Sequence, residues 1–180
     1  MIEKIRLYGD EILRKIAKPI RQLADDEIKN LSKNLIESLE RFDGVGLAAP
    51  QIGHSIRMFA IYPFWIEDEK KRKTMVFINP TLLEFQGVQN EQEGCLSIPE
   101  IFERTKRAKS VTFKAQDLSG KWKQYIATDL FARVVQHEYD HLDGILFIDK
   151  ISPIKRRLLQ GKLKKIAATT KRGVNIASLH

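Results

Sequence analysis

The sequence holds a single cysteine, Cys95, among 180 residues. An intramolecular disulfide is therefore excluded, and a reducing compartment is the natural expectation. No stretch approaches the roughly 18–20 apolar residues that span a bilayer. The opening MIEKIRLYGD carries charge in its first five residues and lacks the apolar run of a secretory signal. A cytoplasmic protein is expected, with neither a membrane nor DNA as partner. Internal repeats and low-complexity blocks are absent as well. Acidic residues are missing altogether from residues 151–180, which contain eight Lys or Arg. Residues 1–150 keep 23 basic residues against 23 acidic ones, so the formal charge of +8 sits in the tail. Such a charge run is usually a solvated helix face, but a cationic helix can also meet an anionic partner.

The chain is 43% hydrophobic, and its apolar residues are spread along the whole length, enough for one core. A single domain over 1–180 is expected, ending in a basic helix at about 152–172. Leu31, Leu35, Leu39 and Phe42 recur at helical spacing, predicting a helix that starts near Asp25 or Asp26. A shorter helix is expected over Asp10 to Ala17. The stretch 43–53, DGVGLAAPQIG, has three glycines and a proline and reads as a loop. RMFAIYPFW (57–65), MVFINP (75–80) and TLLEFQGVQNE (81–91) read as strands. Residues 110–127 read as a hairpin turning at Ser119-Gly120. A helix follows from about Asp129, its expected cap, to Leu142. The last helix opens with Ser152 as cap and Pro153 at its first position. Ile154, Leu158, Leu159, Leu163, Ile166 and Ala167 are expected on one docking side, with a bend or fraying at Gly161. Strands in the middle with helices before and after predict an α+β fold: antiparallel sheets around a central helix, with N-terminal and C-terminal helices.

That central helix carries QHEYDH (136–141). Positions four apart share one helix face, so His137 and His141 can converge on one metal ion. Glu138 is turned away by about 100° and can act as a base without ligating, the logic of H-E-x-x-H. A solvated helix face is the plain alternative. Three protein ligands and one open position make a catalytic site. Neither His54, which follows a glycine, nor the terminal His180 stands in a ligand-like context. Cys95, in EGCLSIPE, fits as the third ligand.

GVGLAAPQIG, EGCLSIP and QHEYDHLDG, in that order, resemble the three signature segments of bacterial peptide deformylases, and the resemblance covers essentially residues 4–165. Deformylases remove the N-formyl group from the first methionine of new chains and release formate. The resemblance implies one divalent metal ion held by Cys95, His137 and His141, typically Fe(II), with nickel, cobalt or zinc able to take its place. Water holds the fourth position, and Glu138 moves protons. Gln51 and the amide of Leu96 match the donors to the oxyanion. Val45 and Gly46 match the backbone that meets the substrate, with Gly94 on the opposite rim. Val45, Leu130 and Val134 are candidates for the methionine pocket, where ordinary core packing competes. Asp140 matches a position paired with an arginine, for which Arg107 is the partner by position; a surface ion pair is the bland alternative. Glu93 is expected to touch the substrate amine or a neighbouring loop. Arg133 and Phe102 depart from residues common in relatives and bear on substrate preference at the cleft rim.

The implied substrates are N-formylmethionyl nascent peptides, and the basic helix suggests a weak ribosome contact. An H-E-x-x-H metallopeptidase and a non-catalytic RNA-binding protein are the competing readings. The first lacks a convincing ligand downstream of His141. The second leaves Gln51, Cys95 and the histidine pair unexplained.

Overall fold

The computed structural model describes residues 2–22 and 26–171; Asp25, Arg172 and His180 of the expectations above lie outside them. Among the described residues there are three α-helices and seven strands: α1 (Asp26–Arg41), β1 (Gly46–Ala48), β2 (Met58–Ile61), β3 (Met75–Gln86), β4 (Gln89–Cys95), β5 (Ile98–Arg107), β6 (Ser110–Gln116), β7 (Trp122–Thr128), α2 (Asp129–Leu142) and α3 (Pro153–Lys171). The strands form a five-stranded sheet ordered β1-β2-β3-β6-β7 and a two-stranded sheet of β4 and β5, every pairing antiparallel. The fold is α+β.

Several local expectations need correction. The Asp10–Ala17 helix is only a 3-10 turn, Glu11–Arg14, with Asp10 capping Ile12 N–H. The glycine-rich loop contains regular structure: β1 and a 3-10 turn, Ala49–Ile52, closed by Gly53 at φ +94°. MVFINP and TLLEFQ form one strand, β3, whose register shifts between Ile78 and Thr81, so Pro80 costs no ladder bond. Asn79, at φ +48° in that bulge, receives Ile20 N–H and donates to Ile20 O, pinning the N-terminal segment to the sheet. Strand β5 was not expected at all. Half of its residues are charged, and two inward positions are filled by Thr105 and Arg107 instead of hydrophobes. Thr128 precedes α2 and makes no side-chain cap bond, so Asp129 is its first residue.

The core explains why α2 is held so firmly. Nine of its fourteen residues are buried, from Ala132 to Leu142. It packs against β1, β2, β6 and β7, and Gln136 bonds both backbone groups of Ala108. Its exit is set by Gly144 at φ +71°, where a Cβ would stand 2.6 Å from Arg14 O.

Helix α3 docks through a narrower stripe than expected. Leu163 is buried and Leu159 and Ile166 are half-buried, but Ile154 and Leu158 are 75% and 79% exposed. Leu158 lies one residue, about 100°, around the helix from Leu159, and Ile154 shares its side. The helix is continuous through Gly161, and an added Cβ there meets nothing within 4 Å. Gly161→Ala should therefore stabilise the protein by about 1 kcal/mol, raising the thermal midpoint by about 2–4 °C. A lowered midpoint would show that the glycine is needed for packing. Among the described residues no helix is long and apolar enough to cross a membrane.

Candidate metal centre

Cys95 is the last residue of β4 and pairs with Ile98 across a two-residue turn, Leu96–Ser97. His137 and His141 stand one turn apart on α2, their ring centroids 5.0 Å from each other. Cys95 Sγ lies 3.3 Å from His141 Nε2. One ligand atom from each of the three residues falls within 4.8 Å of the other two. Sheet and helix thus bring a thiol and two imidazoles, far apart in sequence, to one point. His54 is not part of this group.

The surroundings suit a cation. His137 Nδ1 is 3.1 Å from Glu93 Oε2. A carboxylate at Nδ1 fixes the proton there and leaves Nε2 free to ligate. Burial opposes a charge on His137, but Cys95, Glu93 and Glu138 outweigh it and hold its pKa well above the ordinary value. Burial, joined by the charges of His137, Arg107 and Arg14, pushes His141 well below, keeping it the neutral ring a metal requires. The negative groups around His137 suit a cation, and a divalent ion bound by one sulfur and two nitrogens matches this donor set. Three buried side-chain polar atoms among the described residues have no hydrogen-bond partner, and Glu138 Oε2 and His141 Nδ1 are two of them. Burial drives the Glu138 carboxyl up to about 7, with the charge of Glu93 adding to it and that of His137 opposing. A carboxylate so poised is well matched to moving protons near neutral pH.

Cys95, His137 and Glu138 lie on the wall of a cavity of about 760 Å³. Val45, Gly46, Gly94, Leu96, Phe102, Leu130 and Val134 are among the residues that line it. A Cβ on Gly46 would stand 2.5 Å from Glu138 Oε1 and 2.8 Å from Val134 Cγ1, so only glycine lets β1 pass this close to the base. A Cβ on Gly94 would stand 2.5 Å from the ring of Phe102, which is itself 60% exposed. Arg133 also lines the cavity.

Gln51 is buried in the 3-10 turn after β1 and is oriented without ambiguity. Its Oε1 accepts Ala48 N–H at 2.8 Å, so the amide nitrogen must face the cavity. That nitrogen lies 3.5 Å from Cys95 Sγ and 3.3 Å from Ser97 Oγ.

Behind the ligands sits a buried ionic network. Arg107 grips Glu93 with two bonds, Nε–Oε1 at 2.8 Å and Nη2–Oε2 at 2.9 Å, and its Nη1 donates to Asp140 Oδ2. Lys150 Nζ reaches the other Asp140 oxygen at 3.0 Å. Burial works against ionisation of Glu93, yet the bonds from His137 and Arg107 prevail and hold its carboxyl down at about 2. Glu93 lines the cavity, and its carboxylate is bonded to Arg107 and His137, so within the chain it orients His137. Its position two residues before Cys95 was the available signal. Gln136 and Ser97 were missed too, although both lie inside the segments QHEYDHLDG and EGCLSIP, because their roles depend on contacts with Ala108 and Gln51 that only the fold brings about.

Residues 2–157 match the family described as polypeptide deformylase. A peptide deformylase from Thermotoga petrophila is 42% identical over 170 residues, covering 94% of this chain and 99% of that protein. One from Fusobacterium nucleatum is 42% identical over 174 residues, covering 96% and 97%. The crystal structure of a peptide deformylase from Legionella pneumophila superposes with a TM-score of 0.85 at 38% identity, covering 96% of this chain and 99% of that one. With the match spanning both the sheet that carries Cys95 and the helix that carries the histidine pair, the chain belongs to the polypeptide deformylase family.

Proposed function

We propose that this chain hydrolyses the N-formyl group of N-terminal formyl-methionine on newly made polypeptides, releasing formate, with Cys95, His137 and His141 as the metal ligands. The supporting observation is the meeting of these three donors within 4.8 Å of one another, beside a buried carboxyl with an unpartnered oxygen. A divalent cation held there supplies a Lewis acid and lowers the pKa of the water it carries. Fe(II) is the metal proposed in the cell, with nickel, cobalt or zinc able to substitute; each accepts a thiolate and two imidazoles.

The chain's own residues do the rest. Glu138 takes a proton from the attacking water and delivers it to the departing amine. Gln51 Nε2 and the Leu96 amide donate to the oxygen on which charge develops. Val45, Gly46 and Gly94 align the peptide backbone, and Val45, Leu130 and Val134 receive the methionine side chain. Arg107 and Asp140 hold the helix and Glu93 in register behind the ligands. The chain over 1–180 acts as one cytoplasmic catalytic unit. Formate release from a formyl-methionyl peptide, measured after purification without oxygen, tests this reading. No release from protein carrying a full complement of metal would overturn it.

The basic helix at about 152–172 is proposed to make a weak contact with ribosomal RNA. Lys162, Lys164 and Lys165 are exposed on α3, and phosphate contacts of this type weaken steeply with salt. A chain with these lysines changed to glutamate should co-sediment with ribosomes less than the original at low salt. Equal co-sedimentation would dismiss the contact.

A further inference from the structure

We propose that Ser97 is a positioning residue that fixes the Gln51 amide, an inference that rests on the donor role of Gln51 given above. Ser97 is fully buried, and its Oγ accepts from Gln51 Nε2 at 3.3 Å. Ala48 N–H holds the other end of the same amide. The Gln51 nitrogen has two hydrogens. Ser97 anchors one, and the other points toward Cys95 Sγ and the cavity. Without Ser97 the amide keeps its oxygen anchor and only the long contact to Cys95 Sγ at 3.5 Å, and it is freer to swing about its terminal torsion.

Ser97 is itself well founded. Its carbonyl accepts Tyr8 N–H at 2.8 Å, and Tyr8 O accepts the Thr170 hydroxyl at 2.9 Å. It also shares the two-residue turn after Cys95, so a single turn places the sulfur and the hydroxyl together. Metal ligand and oxyanion donor are thereby tied to one piece of backbone.

A double-substitution cycle with Ser97→Ala and Gln51→Ala tests this on the metal-loaded enzyme. Ser97→Ala should lower kcat about 10-fold, the lower end of what supporting residues typically cost. KM should hardly change, because the lost order matters where charge develops in the transition state. Added to Gln51→Ala, it should cost nothing further. In the zinc-loaded protein, the two Gln51 side-chain amide protons should move toward the NMR shifts of an unrestrained glutamine amide in Ser97→Ala, while staying distinct from each other. An equal kcat loss in both backgrounds would make Ser97 merely structural and overturn the proposal. So would a full rate in Ser97→Ala while Gln51→Ala is slow. If Gln51→Ala itself keeps the full rate, the donor role fails and this inference falls with it. Should Ser97→Ala not fold, Ser97→Cys preserves the volume with a weak acceptor and is expected to show the same pattern.

Discussion

Glu138→Ala keeps its bound metal and loses formate release by about 10²–10⁴-fold, the usual worth of a positioned acid–base group. The two halves of this result come from different atoms. The proposed ligand set is Cys95, His137 and His141, which can hold a metal ion without the Glu138 carboxyl. His137 is held from behind by Glu93, and the bonds of Arg107 hold Glu93. Glu138 is 3% exposed, and one of its carboxyl oxygens has no hydrogen-bond partner among the described residues. Such an atom costs about 1–3 kcal/mol of stability, a cost that has meaning only if the group serves chemistry. Glu138→Gln keeps the volume and cannot take a proton, so it should share the loss of rate while folding at least as stably as the original. Metal per chain and formate release, measured on both variants, check the expectation. Retained turnover in either would assign the proton transfer to another group.

Arg107→Met is expected to produce the largest loss of stability. The Arg107 side chain is 1% exposed and faces two carboxylates, Glu93 at 5% and Asp140 at 11%. Removing one partner of a buried pair leaves the others uncompensated, at a cost of about 3–5 kcal/mol. Lys150 lies 3.0 Å from Asp140 and offsets part of that, but nothing else in the network replaces the two bonds to Glu93. For a chain of this size each 1 kcal/mol lowers the thermal midpoint by about 2–4 °C, so a fall of about 6–20 °C follows. Metal affinity should weaken by about 10–100-fold as well, because Glu93 no longer holds His137 in place. A midpoint within about 2–4 °C of the original, with metal affinity unchanged, would mean that the network is not what supports the site.

Much of this was legible in the sequence because the governing patterns are short-range. The i, i+4 spacing of His137 and His141 needs only a helix, and Leu31, Leu35 and Leu39 of α1 are buried as their spacing predicts. The α+β class followed from the order of the elements. What stayed hidden depends on contacts between distant segments. Strand β5 looks polar because its inward Arg107 is charged, and that charge makes sense only once Glu93 and Asp140 are seen around it. Glu93 has one role in isolation and another beside His137. The exposure of Ile154 and Leu158 was equally invisible, since the stripe that α3 buries is set by where it crosses Tyr8 and β5, not by its own apolar content. Gln51 was recognisable only through its motif; the bond from Ala48 that turns its nitrogen toward the cavity is a property of the folded turn.

The central claim is that one sulfur and two imidazoles share a divalent cation. X-ray absorption on zinc-loaded protein measures that shell directly. The expected result is one ion per chain with one sulfur at about 2.3 Å and two imidazole nitrogens at about 2.0–2.1 Å, and loss of the sulfur component in Cys95→Ser. A shell of nitrogen and oxygen alone, or a metal content far below one per chain, would contradict the account.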